Sequence, residues 1–435
     1  MLFRATYGLL FIRTVTFLCS LLCLVYILLS LSACSGKNGA SVKYPVIDVV
    51  SNIGNYQRVY CSDLFSSIEL IPLETKSECL IDLHIYISVT DSFIFKNGNF
   101  ILYAFDRSGK FLNQIGRRGN GPEEYRMASH IFLNYDKTSI LVDNIINILE
   151  YEFNGKFIRS IPIPVINGQR LGNCNNVDDN VFIGSIRYNG INEYKYCLFD
   201  SNGDIIKCFP NYIFYNKNGN FANTFEGSLQ PVKVDSRTYL KDHVNDTIYV
   251  LSASELQPAY VFDFGKYSFP VEQLGNFNSI DFLFNNTFLF AYSVRPFTAT
   301  SKYIFYDFGV PNRIPRPKGK LRFHPLRNDF VPDDGNIFGI YNIEQKVNVL
   351  LDTDQHFQRG IINDIDGGLP FFPRYYAGNG LLVDFWQAED MKEMLTDEYF
   401  ATQTIKDPQA HQRLKEILEN LDWEDNPVVV IAKLK

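Results

Sequence analysis

The chain has 435 residues and a formal net charge of −7, with 46% hydrophobic and 15% aromatic residues. That length can hold a sizeable core, and the acidic balance excludes a chain-wide attraction to a phosphate backbone, so nucleic acid is not expected as a partner. Phe (37) and Tyr (26) against only 4 Met favour pleated sheet over helix.

In chain order, the first element is an export signal. Arg4 and Arg13 precede an uncharged apolar run from Thr14 to Leu31, the layout of a secretory leader. The run closes on Leu31-Ser32-Ala33-Cys34, which resembles the lipobox of bacterial lipoproteins: small residues before a cleavage point, then a thiol that receives diacylglycerol. An uncleaved transmembrane helix is the competing reading, since the run is nearly long enough to span a bilayer. The expectation is a signal peptide over 1–33 and a membrane anchor at Cys34. Residues 34–43 are small and polar and read as a flexible tether, and the folded body is expected over 44–435 as one domain. No acidic cluster follows Cys34, which places the expected location in the cell envelope, at the outer membrane facing the periplasm.

The body opens into a repeated hairpin. Tyr103-Ala104-Phe105-Asp106-Arg107-Ser108-Gly109-Lys110-Phe111-Leu112 returns as Glu150-Tyr151-Glu152-Phe153-Asn154-Gly155-Lys156-Phe157-Ile158 and as Leu198-Phe199-Asp200-Ser201-Asn202-Gly203-Asp204-Ile205-Ile206. Gly109 to Gly155 is 46 residues and Gly155 to Gly203 a further 48, a spacing that fits propeller blades. Each copy has another β-rich run upstream, so each unit carries at least three strands. Past Ala222 the repeat decays, but strand-like runs continue at Thr247–Val250, Tyr260–Phe262, Tyr303–Tyr306 and Val347–Leu351. Asp407-Pro408 supplies an N-cap and first-turn proline for a helix with Leu414, Ile417, Leu418 and Leu421 on one face. That helix is expected to pack on the flank. The final run Val428–Leu434 is a strand, expected to close the ring by pairing with the other terminus.

Five cysteines remain once Cys19, Cys23 and Cys34 are set aside: Cys61, Cys79, Cys174, Cys197 and Cys208. At least one stays free, and none has zinc-ligand spacing. Cys197 and Cys208 flank Gly203. A two-residue Asn202-Gly203 turn would face them, whereas the bulged Asp-x-x-Gly turn slips the register by one and sets Cys197 against Lys207, so no disulfide is expected.

Ile68-Glu69-Leu70-Ile71-Pro72-Leu73-Glu74-Thr75, the Phe105–Lys110 hairpin, Gly116-Arg117-Arg118-Gly119-Asn120-Gly121-Pro122-Glu123-Glu124-Tyr125, and Asn245-Asp246-Thr247-Ile248-Tyr249 together resemble the bacterial six-bladed β-propeller lipoproteins with NHL-like blades. The resemblance covers most of the mature chain. It implies an all-β, six-bladed β-propeller, with the short helical insertion before the closing strand. Glu123 departs from the family's pattern, which more often has Gly there.

Chemistry is thinly signposted. The glycines at 116, 119 and 121 are in the wrong order for a dinucleotide loop and are followed by Pro122; by the hairpin count they join the outer strand of one blade to the inner strand of the next. Arg117, Arg118, Glu123, Glu124 and Tyr125 would project there near a face of the ring and are the ligand-binding candidates, the arginines for carboxylate or sulfate and the Tyr125 ring for a sugar. Asn363-Asp364-Ile365-Asp366-Gly367-Gly368 lacks the first calcium ligand and reads as a turn, as does Asp333-Asp334-Gly335. The basic stretch Arg313, Arg316, Lys318, Lys320, Arg322 and Arg327 reads as a solvated loop or, alternatively, as a contact for an anionic glycan or lipid headgroup. No metal, cofactor or catalytic residue is expected. The function expected is binding of a glycan, peptide or protein on the propeller face, without catalysis. The alternatives are a propeller enzyme such as a glycan lyase or hydrolase, and an accessory sensor domain.

Overall fold

The computed structural model describes residues 44–81, 86–98, 100–128, 130–134, 136, 138–186, 190–215, 231–235, 237–241, 245–252, 255–268, 292–293, 297–309, 317, 321–324, 329–332, 336–356 and 358–435. Residues 1–43, with the expected signal, Cys34 and the whole of the expected tether, lie outside them, as do Arg313, Arg316, Lys318, Lys320, Arg327 and the turn at 333–335. Among the described residues no helix is long and apolar enough to cross a membrane.

Residues 45–435 form one compact unit. Three strands come first: β1 (Val46–Asp48), β2 (Tyr56–Gln57) and, after the short helix α1 (Cys61–Leu64), β3 (Phe65–Pro72). The blades follow. Blade 1 is β4 (Ile87–Val89), β5 (Phe93–Gly98), β6 (Ile101–Asp106) and β7 (Phe111–Ile115); blade 2 is β8 (His130–Leu133), β9 (Ser139–Asp143), β10 (Asn147–Glu152) and β11 (Phe157–Pro162). A small hairpin, β12 (Val165–Ile166) and β13 (Gln169–Arg170), precedes blade 3, which is β14 (Gly172–Asp178), β15 (Val181–Ser185), β16 (Tyr194–Asp200) and β17 (Ile205–Pro210).

Blade 4 is β18 (Val232–Val234), β19 (Arg237–Leu240), β20 (Thr247–Leu251) and β21 (Leu256–Asp263). Blade 5 has a broken first strand, β22 (Tyr292–Ser293) and β23 (Thr298–Ala299), then β24 (Tyr303–Gly309), an inserted hairpin β25 (Leu321–His324) and β26 (Asp329–Pro332), and finally β27 (Ile337–Asn342) and β28 (Val347–Leu351). Blade 6 is β29 (Tyr375–Gly378), β30 (Leu381–Trp386), β31 (Val428–Leu434) and, from the other end of the chain, β3. The later strand-like runs of the sequence all fall in these strands, and the chain is a six-bladed propeller.

Inner strands carry apolar residues in both phases because each has a neighbouring blade on both sides. Ile94 packs in the gap between blades 6 and 1, and the next residue, Phe95, in the gap between blades 1 and 2. Leu141 and Ile140 divide the same way between the gaps on either side of blade 2. Outer strands have one covered side, so β11 alternates half-buried or buried residues (Phe157, Arg159, Ile161) with exposed ones. Among the described residues each of the six gaps between neighbouring blades holds its own hydrophobic cluster.

The ring closes where β3 runs antiparallel to β31, from Phe65 opposite Leu434 to Pro72 opposite Val428, as the sequence leads one to expect. The segment before β3 adds a feature the sequence does not announce. β1 pairs in parallel with β21, and β2 in parallel with β28, so the N-terminal strap edges blades 4 and 5 before supplying the fourth strand of blade 6.

Between β30 and β31 lie α2 (Ala388–Met394), α3 (Asp397–Phe400) and α4 (Pro408–Asn420). Asp407 caps α4 by accepting from Gln409 N and Ala410 N, both at 3.0 Å. Leu414 and Leu421 enter the cluster shared by blades 5 and 6, with Ile417 and Leu418 packed against it.

The expectation for Cys197 and Cys208 is overturned: the two are paired across the hairpin and joined by a disulfide. The turn itself is as expected, with Gly203 N donating to Asp200 O (3.0 Å) and Phe199 opposite Ile205. One residue further, Ile206 bulges out, Leu198 meets Lys207, and Cys197 comes to face Cys208. Blades 1 and 2 have register shifts at the same place in their hairpins. Cys61, Cys79 and Cys174 are free and buried.

Candidate binding face

Because strands alternate in direction within a blade, the connections from second to third strand and from fourth strand to the next blade leave the sheets at the same end. The connections at the other end span no more than five residues each, the longest being 134–138. The strands joined by every long connection, 73–86, 211–231, 264–291, 310–336, 352–374 and the helical segment 387–427, are linked through their ends at the first end. Loops held on a rigid scaffold carry binding residues more often than the strands beneath them, which makes this loop side the candidate face.

The Gly116–Tyr125 stretch lies there, between β7 and β8, and folds into a compact loop. Tyr125 N donates to Arg117 O (3.0 Å) and Gly119 N to Tyr125 O (2.9 Å). Glu124 turns back to accept from Gly121 N (2.9 Å), and its carboxylate occupies the space that a side chain at Gly119 would need. Arg118 Nε donates to Arg126 O (3.2 Å), and the Tyr151 hydroxyl donates to Glu123 O (2.8 Å). Arg117, Arg118 and Glu123 are exposed and Glu124 is half-buried.

Tyr125 is the correction. Its side chain is fully buried, donating to Ile115 O (2.9 Å) and accepting from Leu102 N (3.2 Å), with the Tyr151 ring edge-on at 6.2 Å. Burial pushes its hydroxyl pKa up to about 12. The ring joins blade 1 to blade 2 and offers no surface to a sugar.

Adjacent loops extend this surface. Arg126 N donates to Asn144 Oδ1 (2.8 Å), at the β9–β10 turn. From that turn, Ile146 O accepts from Ile163 N (3.2 Å) and from Arg170 Nη1 (3.4 Å). The side chains of Gln169 and Asn192 bond to each other (3.4 Å), and Asn211 Nδ2 donates to Asn192 O (3.1 Å). The loops of blades 2 and 3 are thereby fastened into one surface, on which Ile145, Ile146, Val165, Ile191, Tyr212 and Phe214 stand exposed. The sequence carries one local signal for it, the apolar pair in Asn144-Ile145-Ile146-Asn147 where a turn joins two strands.

Under blade 6 the loop side is closed. The Asn363–Gly368 segment is a turn, as expected, and fastens the helices to α1: Asp364 accepts from Ser62 N (2.8 Å) and Ser62 Oγ (2.6 Å) and pairs with Lys406 (2.8 Å). Tyr399 donates to Gly368 O (3.1 Å), and His411 Nδ1 lies 2.7 Å from Asp366 O. Asp354 and Asp366 are buried, and burial raises both carboxyl pKa values, that of Asp366 to about 6. With Asn363, Asp364 and Asp366 all enclosed, the cluster is a structural fastening. Among the described residues no group of His, Cys, Asp and Glu is arranged to hold a metal ion.

No curated protein matches this chain. A solved structure from Bacteroides fragilis NCTC 9343, described as an exported protein, has the same fold: it is 20% identical with a TM-score of 0.64, over 90% of this chain and 99% of its own. A member of the DUF4221 family from Bacteroides vulgatus ATCC 8482 is 12% identical with a TM-score of 0.48, over 86% of this chain and 97% of its own. The family described as a domain of unknown function, DUF4934, matches residues 44–433, and the chain belongs to that family.

Proposed function

We propose that this protein is exported, lipid-anchored through Cys34 at the outer membrane facing the periplasm, and binds a glycan, peptide or protein on the loop side of its propeller without catalysing a reaction. The observation that carries the reading is the division of the fold: tight turns at one end of the blades, and at the other every long connection, with exposed arginines and apolar side chains gathered on linked loops. The leader ending in Leu31-Ser32-Ala33-Cys34 supports export and lipidation, and the Bacteroides fragilis protein of the same fold is described as exported. Arg117 and Arg118 are the residues proposed to pair with anionic groups of the ligand.

Two experiments test the halves separately. Wild type should incorporate labelled fatty acid and fractionate with membranes, and Cys34→Ala should lose both; an unlabelled wild type rejects the anchor. On a glycan array, Arg117→Ala with Arg118→Ala should lose the anionic glycans that wild type retains, with little change in melting temperature because exposed loop charges contribute little to stability. Unchanged retention rejects the assignment of these arginines.

A further inference from the structure

The surface over blades 2 and 3 has a composition that specifies more than a general binding face. Ile145 is 55% exposed, Ile191 72%, Tyr212 84% and Phe214 61%, and with Ile146 and Val165 they lie on loops bound to one another by the hydrogen bonds given above. Large apolar groups concentrated on linked loops mark an interaction surface. Ile145 adds a second sign. Its φ is +71°, a left-handed conformation that a β-branched side chain adopts only under strain and that Asn or Gly would adopt with ease. The fold thus holds an isoleucine in solvent at a turn position where a polar residue would be both more stable and more soluble, a pattern that points to function.

The flank of this ridge is basic. Arg117, Arg118, Arg126 and Arg170 are all exposed, while the exposed carboxylates among the described residues of these loops are Glu123 and Glu193. A local excess of guanidinium on a chain of net charge −7 selects against a second copy of the same chain and for an acidic partner. Aromatic and aliphatic anchors rimmed by arginine are the make-up of protein interfaces.

We propose that this ridge docks a polypeptide segment of a partner protein in which carboxylates are interspersed with apolar side chains. The inference rests on the loop side being the binding face and names the partner class for it. Apolar side chains of the segment cover Ile145, Ile146, Ile191 and Phe214, and its carboxylates meet the arginines at the rim.

The test titrates purified mature protein with three fluorescein-labelled peptides of equal length, in which leucine and phenylalanine alternate with glutamate, with glutamine or with lysine. The glutamate peptide should bind at least tenfold more tightly than the glutamine peptide and the lysine peptide least, with the preference shrinking as salt is raised. Ile145→Asn should weaken the glutamate peptide at least tenfold while raising the melting temperature, a combination that a purely structural role for Ile145 does not produce. Arg117→Gln with Arg126→Gln should abolish the preference for glutamate over glutamine. Equal binding of the three peptides, or full binding by Ile145→Asn, overturns the proposal. So does binding to vesicles of phosphatidylcholine and phosphatidylglycerol, or self-association in sedimentation, that Ile145→Asn removes, since the ridge would then belong to lipid or to a second copy. A flat peptide titration alongside glycan binding that requires Arg117 and Arg118 removes this inference and leaves the binding face standing. Peptide binding that hydrogen exchange maps to the short-turn side removes both.

Discussion

A side chain at Gly109 would run into the carbonyl oxygen of Pro72, the last residue of the strand that the N-terminal segment contributes to blade 6. Gly109 has φ +86°, and its own carbonyl accepts from Glu74 N at 2.8 Å. The glycine of the repeated hairpin therefore does two jobs: it makes the turn, and it lets the outer hairpin of one blade abut the end of the preceding blade's outer strand. Gly155 stands in the same relation to Gln114 O, where an added Cβ would lie at 2.6 Å, and Gly203 to Pro162 O at 3.0 Å.

That series predicts graded costs. Gly109→Ala combines the left-handed penalty with a backbone clash at the closure seam and should cost about 3 kcal/mol or more, and Gly155→Ala somewhat less. Gly203→Ala, with the smallest clash of the three, should cost about 1–2 kcal/mol. Gly168 has φ +79° and nothing within 4 Å of an added Cβ, so Gly168→Ala isolates the conformational term. Urea unfolding of the four variants checks the order; equal losses would show that contact between neighbouring blades adds nothing to the turn requirement.

The N-terminal strap has its own latch. Asn348 Nδ2 donates to Asp48 O (2.8 Å), and Asn348 Oδ1 accepts from the buried Tyr306 hydroxyl (2.9 Å). Asn348→Ala removes the tie to the strap and leaves a buried hydroxyl without its acceptor, at a cost of about 1–3 kcal/mol. Hydrogen exchange should rise in residues 46–57 before it rises in blade 1. Uniform protection in the variant would mean that the β1 and β2 pairings hold the strap without the latch.

What the sequence discloses follows from how local each feature is. The blades are legible because Asp-x-x-Gly chemistry is local: Asp106 Oδ1 accepts from Ser108 N and Lys110 N, and Asp200 Oδ1 from Asn202 N and Asp204 N. The strap is not legible, since strands of two and three residues have no measurable period. Tyr125 misleads for a tertiary reason. It sits in a polar, glycine-rich stretch, but the groups that bury its hydroxyl belong to Ile115 and Leu102, placed there by the pairing of β6 with β7. The exposed ridge is the converse case: its isoleucines look like core residues until the blades are assembled.

The disulfide carries a chemical prediction. Unfolded without reductant, residues 44–435 should show three free thiols, those of Cys61, Cys79 and Cys174, and five after reduction. Proteolysis without reductant should yield a crosslinked peptide containing Cys197 and Cys208. The bond closes a short segment, with a sequence separation of 11, so replacing both cysteines by Ala should cost about 2–3 kcal/mol. Five thiols in the unreduced, exported protein would disprove the pairing.

Asp366 gives the fold a pH dependence whose sign is fixed by its burial. Removal from water raises its carboxyl pKa to about 6, outweighing the Gly368 N–H and the Asn363 amide that favour the charged form, and Asp407 pushes in the same direction as burial. A carboxyl pKa higher in the folded state than in the unfolded one means that the native protein holds the proton more tightly. Its contribution is therefore complete below about pH 4, where both states are protonated, and is lost as the pH rises through about 6. Asp366→Asn keeps an acceptor for Gly368 N and removes the ionisation. The variant should match wild type near pH 4 and exceed it by up to about 3 kcal/mol above pH 6. Urea midpoints measured from pH 4 to 8 should therefore diverge between the two proteins only above about pH 4, reaching a constant gap past pH 6. Parallel curves across the whole range would mean that Asp366 is charged in the folded protein and that the fastening under the helices tolerates a buried carboxylate.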